Sequence, residues 1–520
     1  MPPVKPEASA AELAQALEHF LAEHPRAAVL EDGRVLFDMR SAHYAISTEH
    51  GRCVLHLWSD ERNVVRTITG VDARKTALRL EARRLGQARP QTLHLVPDRD
   101  VRTPGTRASS RKTYLRILER VLIRYFADFR VEQISSAMDL EHSFGPAYAR
   151  GILTRGQSAW AVIGVDGAET QPTIDGVLTL GILWLAYCRE HSGGRRVFEG
   201  LKVILPVEAS AITRARMAWL NRDLAQWELY GLDARNEELT ELDFRDQGNV
   251  EVRLVHAFHP DSAVSRSQAA IDRVMALLPE GARSRVEIRP RSATEVGLLL
   301  FGLEFARVRH GLAPNSFVRR DSVTFGAGPN ETDLAPDTEQ LFVELVGRLF
   351  QSRHPGGSQR DPLYRLQPER WLESALRGEL ENVEPGIRPE FVYTQVPAFS
   401  AGDRGMLDLL TVNRAGRLVV VELKADEDLH LPLQGLDYWL RVRQLQRDDA
   451  GIFARHGYFP GVELSSEPPL LDLVAPALRI HPAHETVLRY LSPEVDWTLI
   501  ALDEHWRERR RVIWRKRSAD

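Results

Sequence analysis

Apolar and polar positions alternate along this chain with two different periods, and the switches between them mark out elements. A helical spacing over Ala8 to Glu23 predicts a first helix, after which Arg34 to Thr69 changes to a period of two in VLFDM, HYAIST and RCVLHLW. One face of a strand recurs every second residue and one face of a helix every third or fourth, so this stretch predicts short strands. Asp72 to Gly86 (DARKTALRLEARRLG) reads as a basic helical segment, and Pro97 to Ser110 as an exposed linker. From Ser110 a helix is expected on which Arg116, Arg120 and Arg124 stack one turn apart beside Leu115, Ile117, Val121 and Leu122. Such a face is either solvated or phosphate-contacting.

From Gly151 to Asn315 strand-like and helix-like patterns take turns. Ala159 to Val165 and Leu201 to Leu205 read as strands around an apolar helix, Ile174 to Glu190, and a second helix is expected over Ala209 to Leu229. Strands at Val250 to His256 and Arg285 to Ile288 and helices at Ser265 to Leu278 and Ala293 to Val308 continue the series. This predicts α/β or α+β layers. SRHPGGSQRDP, Ser352 to Pro362, then breaks the pattern, and no repeat with a period of 20 to 50 residues is visible. The expected chain is multidomain α/β (α+β). A small β-rich module with helices occupies 1–100, a basic helical connector 101–150, a central α/β domain for recognition or regulation 151–352, and a further domain 363–520. A length of 520 residues, at about 150 per domain, accommodates this.

Composition narrows the function classes. With 43% hydrophobic and 27% charged residues the chain is neither disordered nor fibrous. Its 68 basic and 72 acidic residues give a net charge of −4, so a polyanion has to be held by a local basic patch. The two cysteines, Cys53 and Cys188, form no metal or disulfide pattern and point to the reducing cytoplasm. The most apolar run, GVLTLGILWLAY, is too short for a bilayer, so neither an export signal nor a membrane partner is expected. Neither GxGxxG nor GxxxxGK[ST] occurs between a strand and a helix. His481 and His484 in HPAHE lack a third ligand at zinc spacing and read as surface residues, and the basic run from Trp506 to Arg517 as a solvated tail or a DNA-contacting arm.

The informative segment is Glu390 to Tyr438. Met406 to Val412 is an apolar strand interrupted by Asp408, Asn413 to Gly416 a turn, and Arg417 to Lys424 a second strand. Period-two alternation puts Glu422 and Lys424 on one face, and an antiparallel register brings Asp408 beside Glu422. Adjacent carboxylates in an apolar hairpin repel and are disfavoured unless paired or metal-bound. A hard divalent cation takes such oxygens and leaves positions for a phosphate. A helix from about Leu431 places Gln434 and Tyr438 one turn apart, with Arg441 nearby, groups suited to a sugar-phosphate backbone.

Asp408, then Glu422-Leu423-Lys424, then Gln434-x-x-x-Tyr438 resembles the PD-(D/E)xK restriction-endonuclease-like superfamily. The trailing QxxxY is similar to that of its RecB-like exonucleases and of related branch- or mismatch-acting endonucleases. The likeness covers Asp361 to Pro460, roughly a fifth of the chain, and has Leu407 where the pattern has proline. It implies a mixed sheet flanked by helices and metal-dependent hydrolysis of phosphodiester bonds, in DNA before RNA. It also implies Mg²⁺ or Mn²⁺ on Asp408, Glu422 and the main-chain carbonyl of Leu423, with Lys424 acting in catalysis and Gln434 and Tyr438 supporting the strand or contacting DNA. The acid expected from an upstream helix is best matched by Glu373 in PERWLESALRGE, with Glu369 and Glu379 as competitors. The competing reading is a catalytically silent nucleic-acid-binding or regulatory protein. Either is compatible with a homodimer.

Overall fold

The computed structural model describes residues 9–25, 27–31, 34–39, 42–48, 51–58, 63–74, 77–83, 91–97, 104–139, 142–246, 252–255, 260–312, 319–327, 332–400 and 406–518. Of the expected linker, Pro97 to Ser110, residues 98–103 lie outside them, and 104–110 are helical rather than a loop. The chain is mixed α/β and forms two compact units, each assembled from two separate stretches: Met1–Ser109 with His259–Tyr364, and Ser110–Phe258 with Arg365–Asp520. The expected 151–352 domain is therefore shared between the two units. The expected 101–150 connector contributes a helix, Pro104–Tyr125, and an edge strand, Arg130–Ser135, to the second unit's central sheet.

The first unit carries two antiparallel sheets. In the seven-stranded one, helix Ala10–Glu23 buries Leu13, Leu17 and Leu21 against Leu55, Leu57 and Ile68, and Ser9 and Glu12 cap each other's backbone N–H at its start. In the five-stranded one, helix Glu339–Ser352 sets Phe342 against Phe325 and Phe305.

Three expected helices are strands or fragments. Within Asp72 to Gly86 the described residues form strands Asn63–Arg74 and Ala77–Arg83, because Leu78, Leu80 and Ala82 are buried at every second position while the arginines alternate outward. Ala293 to Val308 is a hairpin, Glu295–Leu300 with Leu303–Leu312, turned at Phe301-Gly302 with φ of 46° and 74°. The apolar run there is a strand buried on both faces, which periodicity does not distinguish from a buried helix. Ala209 to Leu229 is a short helix, Ala211–Met217, followed by strand Gln226–Asp233.

The second unit holds the segment singled out by its chemistry. Its C-terminal sheet is mixed and seven-stranded, in the order Val252–Leu254, Tyr393–Ser400, Met406–Val412, Leu418–Leu423, Leu470–Pro476, Asp496–Leu502, Val512–Arg517. The strands Leu418–Leu423, Leu470–Pro476 and Asp496–Leu502 run parallel, and the remaining neighbours antiparallel. Helix Leu431–Asp448 crosses from the first parallel strand to the second, and helix His484–Arg489 from the second to the third. The central sheet is six-stranded. It has the same order of events: antiparallel strands Arg130–Ser135, Tyr148–Arg155 and Ser158–Val165, then crossovers through helices Val177–His191 and Ala211–Met217 to parallel strands Val197–Leu205 and Gln226–Asp233, then an antiparallel edge, Glu238–Glu241.

One hydrophobic core runs through both sheets. Helix Val177–His191 is apolar all round because the central sheet covers one side and helix His484–Arg489 another. Helix Leu431–Asp448 lies close against its own sheet at Gly435, where a Cβ would fall inside the Leu473 side chain, and Gly181 of the central helix is in the same kind of contact, where a Cβ would come within 2.8 Å of Leu201 and 2.9 Å of Ile163. Gly435→Ala is expected to lower stability by about 1–3 kcal/mol through overpacking, although alanine is the better helix former by about 1 kcal/mol. Urea denaturation checks this, and an unchanged or higher midpoint would show that the contact has slack.

Candidate active site

The hairpin Met406–Val412 and Leu418–Leu423 is built from residues with little choice. The second strand, LVVVEL, is buried throughout because it is flanked by strands on both sides, and β-branched residues suit that position. Gly416 takes the left-handed turn conformation with φ 81°. The register from Val412↔Leu418 to Leu409↔Val421 carries Asp408 alongside Glu422-Leu423, and Asp408 Oδ2 accepts the Leu423 N–H at 3.2 Å. Glu422 and Lys424 share a face, with Lys424 Nζ 3.4 Å from Glu422 Oε1. Asp408, Glu422, Lys424, Gln434, Tyr438 and Arg441, named from the sequence, all line one cleft of about 360 Å³.

Two helices close it. Helix Leu431–Asp448 begins with Pro432 in its first turn and turns Leu433, Leu436 and Trp439 into the core, which leaves Gln434, Tyr438 and Arg441 at the cleft. The upstream helix Pro368–Arg377 buries Trp371, Leu372 and Leu376 and supplies two acids one turn apart. Glu373 is buried, and its Oε2 accepts from Arg370 Nη1 at 2.8 Å; Glu369 Oε1 lies 3.6 Å from Lys424 Nζ. Glu379 is turned away from these groups and pairs with Arg510.

Sequence reasoning missed Gln395. It sits in strand Tyr393–Ser400 with φ 52°, and the ladder to the hairpin skips it, pairing Thr394↔Leu409 and Val396↔Leu407. A left-handed glutamine inside a strand is strained, and here the strain aims its amide between two acids. Nε2 donates to Glu373 Oε2 at 3.0 Å and to Asp408 Oδ1 at 3.3 Å. No periodicity encodes such a residue. Arg370 and Asp437 also line the cleft. Asp437 accepts a bidentate pair from buried Arg216, at 2.9 and 2.7 Å, which ties the site helix to the central half of the unit.

The electrostatics are unbalanced toward negative charge. Burial raises the Asp408 carboxyl, and Glu373 raises it further. Burial and then the neighbouring Asp408 push Glu422 well above the usual carboxylate range. Burial alone would lower Lys424, but Glu422, Glu369, Asp428 and Asp408 outweigh it and raise the ammonium, so it stays charged. Glu422 Oε2 and Gln434 Oε1 are buried and find no hydrogen-bond partner among the described residues. An orphaned carboxylate oxygen of this kind costs free energy unless something positive meets it.

Hard oxygen donors beside an orphaned carboxylate oxygen fit Mg²⁺ or Mn²⁺. No three His, Cys, Asp or Glu side chains come together as a ready-made metal group among the described residues. Mg²⁺ commonly takes only one or two carboxylates and keeps several waters, which Asp408 and Glu422 provide for, with Leu423 between them and Lys424 in sequence. Glu373 Oε2 is engaged by Arg370 and Gln395.

Other candidate groups are committed elsewhere. Arg120 pairs with Glu237, whose carbonyl takes Arg124, so that helix face is turned to a carboxylate. In the terminal basic run, Arg510 meets Glu379, Arg515 the Val383 carbonyl and Lys516 Glu485, which ties the last strand down. Of the two histidines of HPAHE, His484 is buried, contrary to expectation, and faces the Asp428 carbonyl at 2.7 Å, while His481 is partly exposed and meets Ser143 Oγ at 3.0 Å. His481 Nδ1 accepts the Ala483 N–H, so the neutral ring carries its proton on Nε2 and is no base toward Ser143. No helix among the described residues is long and apolar enough to cross a membrane.

No family model and no curated protein matches this chain.

A carboxyl whose pKa is raised by folding favours the folded state at low pH, and this contribution is lost as pH rises through the folded-state value. Without divalent ions, Asp408→Asn and Glu422→Gln should therefore be more stable than the parent at pH 7, by about 1–3 kcal/mol, and no more stable below about pH 4. Urea titrations in chelator at the two pH values measure this. Variants less stable than the parent at pH 7 would mean that the two charges are well compensated.

Proposed function

We propose that this chain is a metal-dependent nuclease that hydrolyses phosphodiester bonds in nucleic acid, DNA before RNA, at the cleft of Asp408, Glu422 and Lys424. The observation that carries the reading is the convergence of half-buried Asp408, buried Glu422 and a charged lysine around the unpartnered Glu422 Oε2. The mixed C-terminal sheet and the upstream Glu-bearing helix agree with the restriction-endonuclease-like resemblance.

Asp408, Glu422 and the Leu423 carbonyl would hold the cation, which supplies Lewis acidity at the scissile phosphate. The Leu423 N–H keeps Asp408 oriented. Lys424, held charged by four carboxylates, would offset the negative charge that builds on the phosphoryl oxygens as water attacks phosphorus. Arg370 and the buried Arg441, both lining the cleft, suit the flanking phosphates, and the Gln434 amide and Tyr438 phenol suit the sugar-phosphate backbone. Burial raises the Tyr438 phenol, so it acts as a neutral donor.

With Mg²⁺ or Mn²⁺ the purified chain should cut plasmid or branched DNA, and chelator should stop it. Asp408→Ala, Glu422→Ala and Lys424→Ala should each fold and lose at least about 10³-fold in rate, as removal of a group acting on transition-state charge does. Cleavage that survives all three substitutions would place the chemistry elsewhere.

A further inference from the structure

The two sheets of the second unit share more than strand order. Pro206 and Pro476 end their parallel strands and each opens a 3₁₀ turn; Trp227 and Trp497 sit near the start of the next strands, at the same separation along the chain. Buried Lys202 and buried Asp472 stand in largely apolar strands at matching positions, one residue after Leu201 and Leu471. Gly181 and Gly435 press their helices onto matching neighbours, Leu201 and Ile163 in one copy and Leu471, Leu473 and Glu422 in the other.

The copies also meet symmetrically. Leu220 bridges Leu491, each lying just after its second crossover helix. The Asn221 N–H donates to the Tyr490 carbonyl at 2.8 Å, and in return the Ser492 N–H donates to the Trp219 carbonyl at 2.8 Å. Helix Ala211–Met217 packs on Leu431–Asp448, and reciprocally His484–Arg489 packs on Val177–His191. Reciprocal contacts of this kind define a two-fold, isologous interface. Here they lie inside one chain.

Matching the registers shows what became of the second site. With Leu201 on Leu471, the pairings Ala161↔Leu201 and Val420↔Leu471 put Ile163 on Glu422 and Val165 on Lys424. Ile163 pairs with Arg150, which takes the place of Asp408, and Gly181 on Gly435 puts Leu180 on Gln434 and Trp184 on Tyr438. Each of these five groups has been replaced. Arg150 is buried over the Phe144 ring, 4.3 Å away, and the Trp184 ring, 5.6 Å away, so the former cleft is plugged.

We propose that residues 110–246 are a second, silent copy of the catalytic fold, fused as a pseudo-two-fold partner, so that the chain acts on duplex DNA as a monomer and cuts one strand per engagement. A true two-fold dimer presents two live sites to the two strands of a duplex; this pseudo-dimer presents one. The cutting behaviour rests on the nuclease reading, whereas the duplication does not.

The test uses the full chain with supercoiled plasmid and Mg²⁺, alongside sedimentation. Expected are a 58.8 kDa monomer, an initial rate first-order in protein, and nicked circles that build up before any linear DNA. Linear product from the outset, a rate rising with the square of protein concentration, or an active dimer would overturn the proposal. Absence of all cutting would instead remove the nuclease reading and with it the one-strand claim. The duplication is then decided by Leu220→Ala and Leu491→Ala, which should lower the urea midpoint equally. A shift confined to one of them would overturn the two-fold relation.

Discussion

Two carboxylates, half-buried Asp408 and buried Glu422, lie side by side at the end of an apolar hairpin, and the rest of the site answers to that conflict. Burial raises both groups, with Glu373 adding to the effect on Asp408 and Asp408 to the effect on Glu422, and the Lys424 ammonium, 3.4 Å from Glu422, offsets only part of the excess because Glu369 and Asp428 draw on the same charge. Gln395 adds a neutral donor between Asp408 and Glu373 at the cost of a left-handed backbone, about 1–2 kcal/mol. One Glu422 oxygen is still unmet. A fold that keeps such a group has given up stability at this point, which is the usual mark of a site awaiting a ligand.

That destabilised corner is held by packing on every side. Gly435 lets the helix of Gln434 and Tyr438 lie directly on the strands behind Glu422, and Arg216 pins Asp437 of the same helix from the central half. The loop after Lys424 is fixed by His484 on the Asp428 carbonyl and by His430, 3.1 Å from Thr179 of the central helix. The central half is thus a wall of the site's own core rather than a separately docked module. A cation-binding geometry needs this rigidity, because a carboxylate displaced by an ångström loses its metal.

How much was legible in the sequence follows from how local each signal is. The hairpin, its turn and the helix of Gln434 and Tyr438 are encoded within a few dozen residues by period-two and period-3.6 spacing, and the cleft gathers all six side chains named from that spacing. The upstream acids were legible as a helical pair, but which of them reaches the cleft depends on tertiary packing. Gln395 was invisible because its placement rests on a strained backbone, and the Glu295–Leu312 hairpin because a fully buried strand carries no alternation. The proposed two-copy organisation was not legible because what persists between the halves is register and a few packing residues, Gly181 and Gly435, Trp227 and Trp497, while the matched cleft positions have changed character.

The central claim is that Asp408 and Glu422 are held in conflict for a divalent cation. Titration of Mn²⁺ into the full chain, followed by the loss of the free-ion electron paramagnetic resonance signal, tests it without reference to any substrate. The parent should bind Mn²⁺, and Asp408→Asn should weaken that binding at least about tenfold while remaining folded. Binding of equal strength in the two proteins, or none in the parent, would contradict a cation site at this cleft.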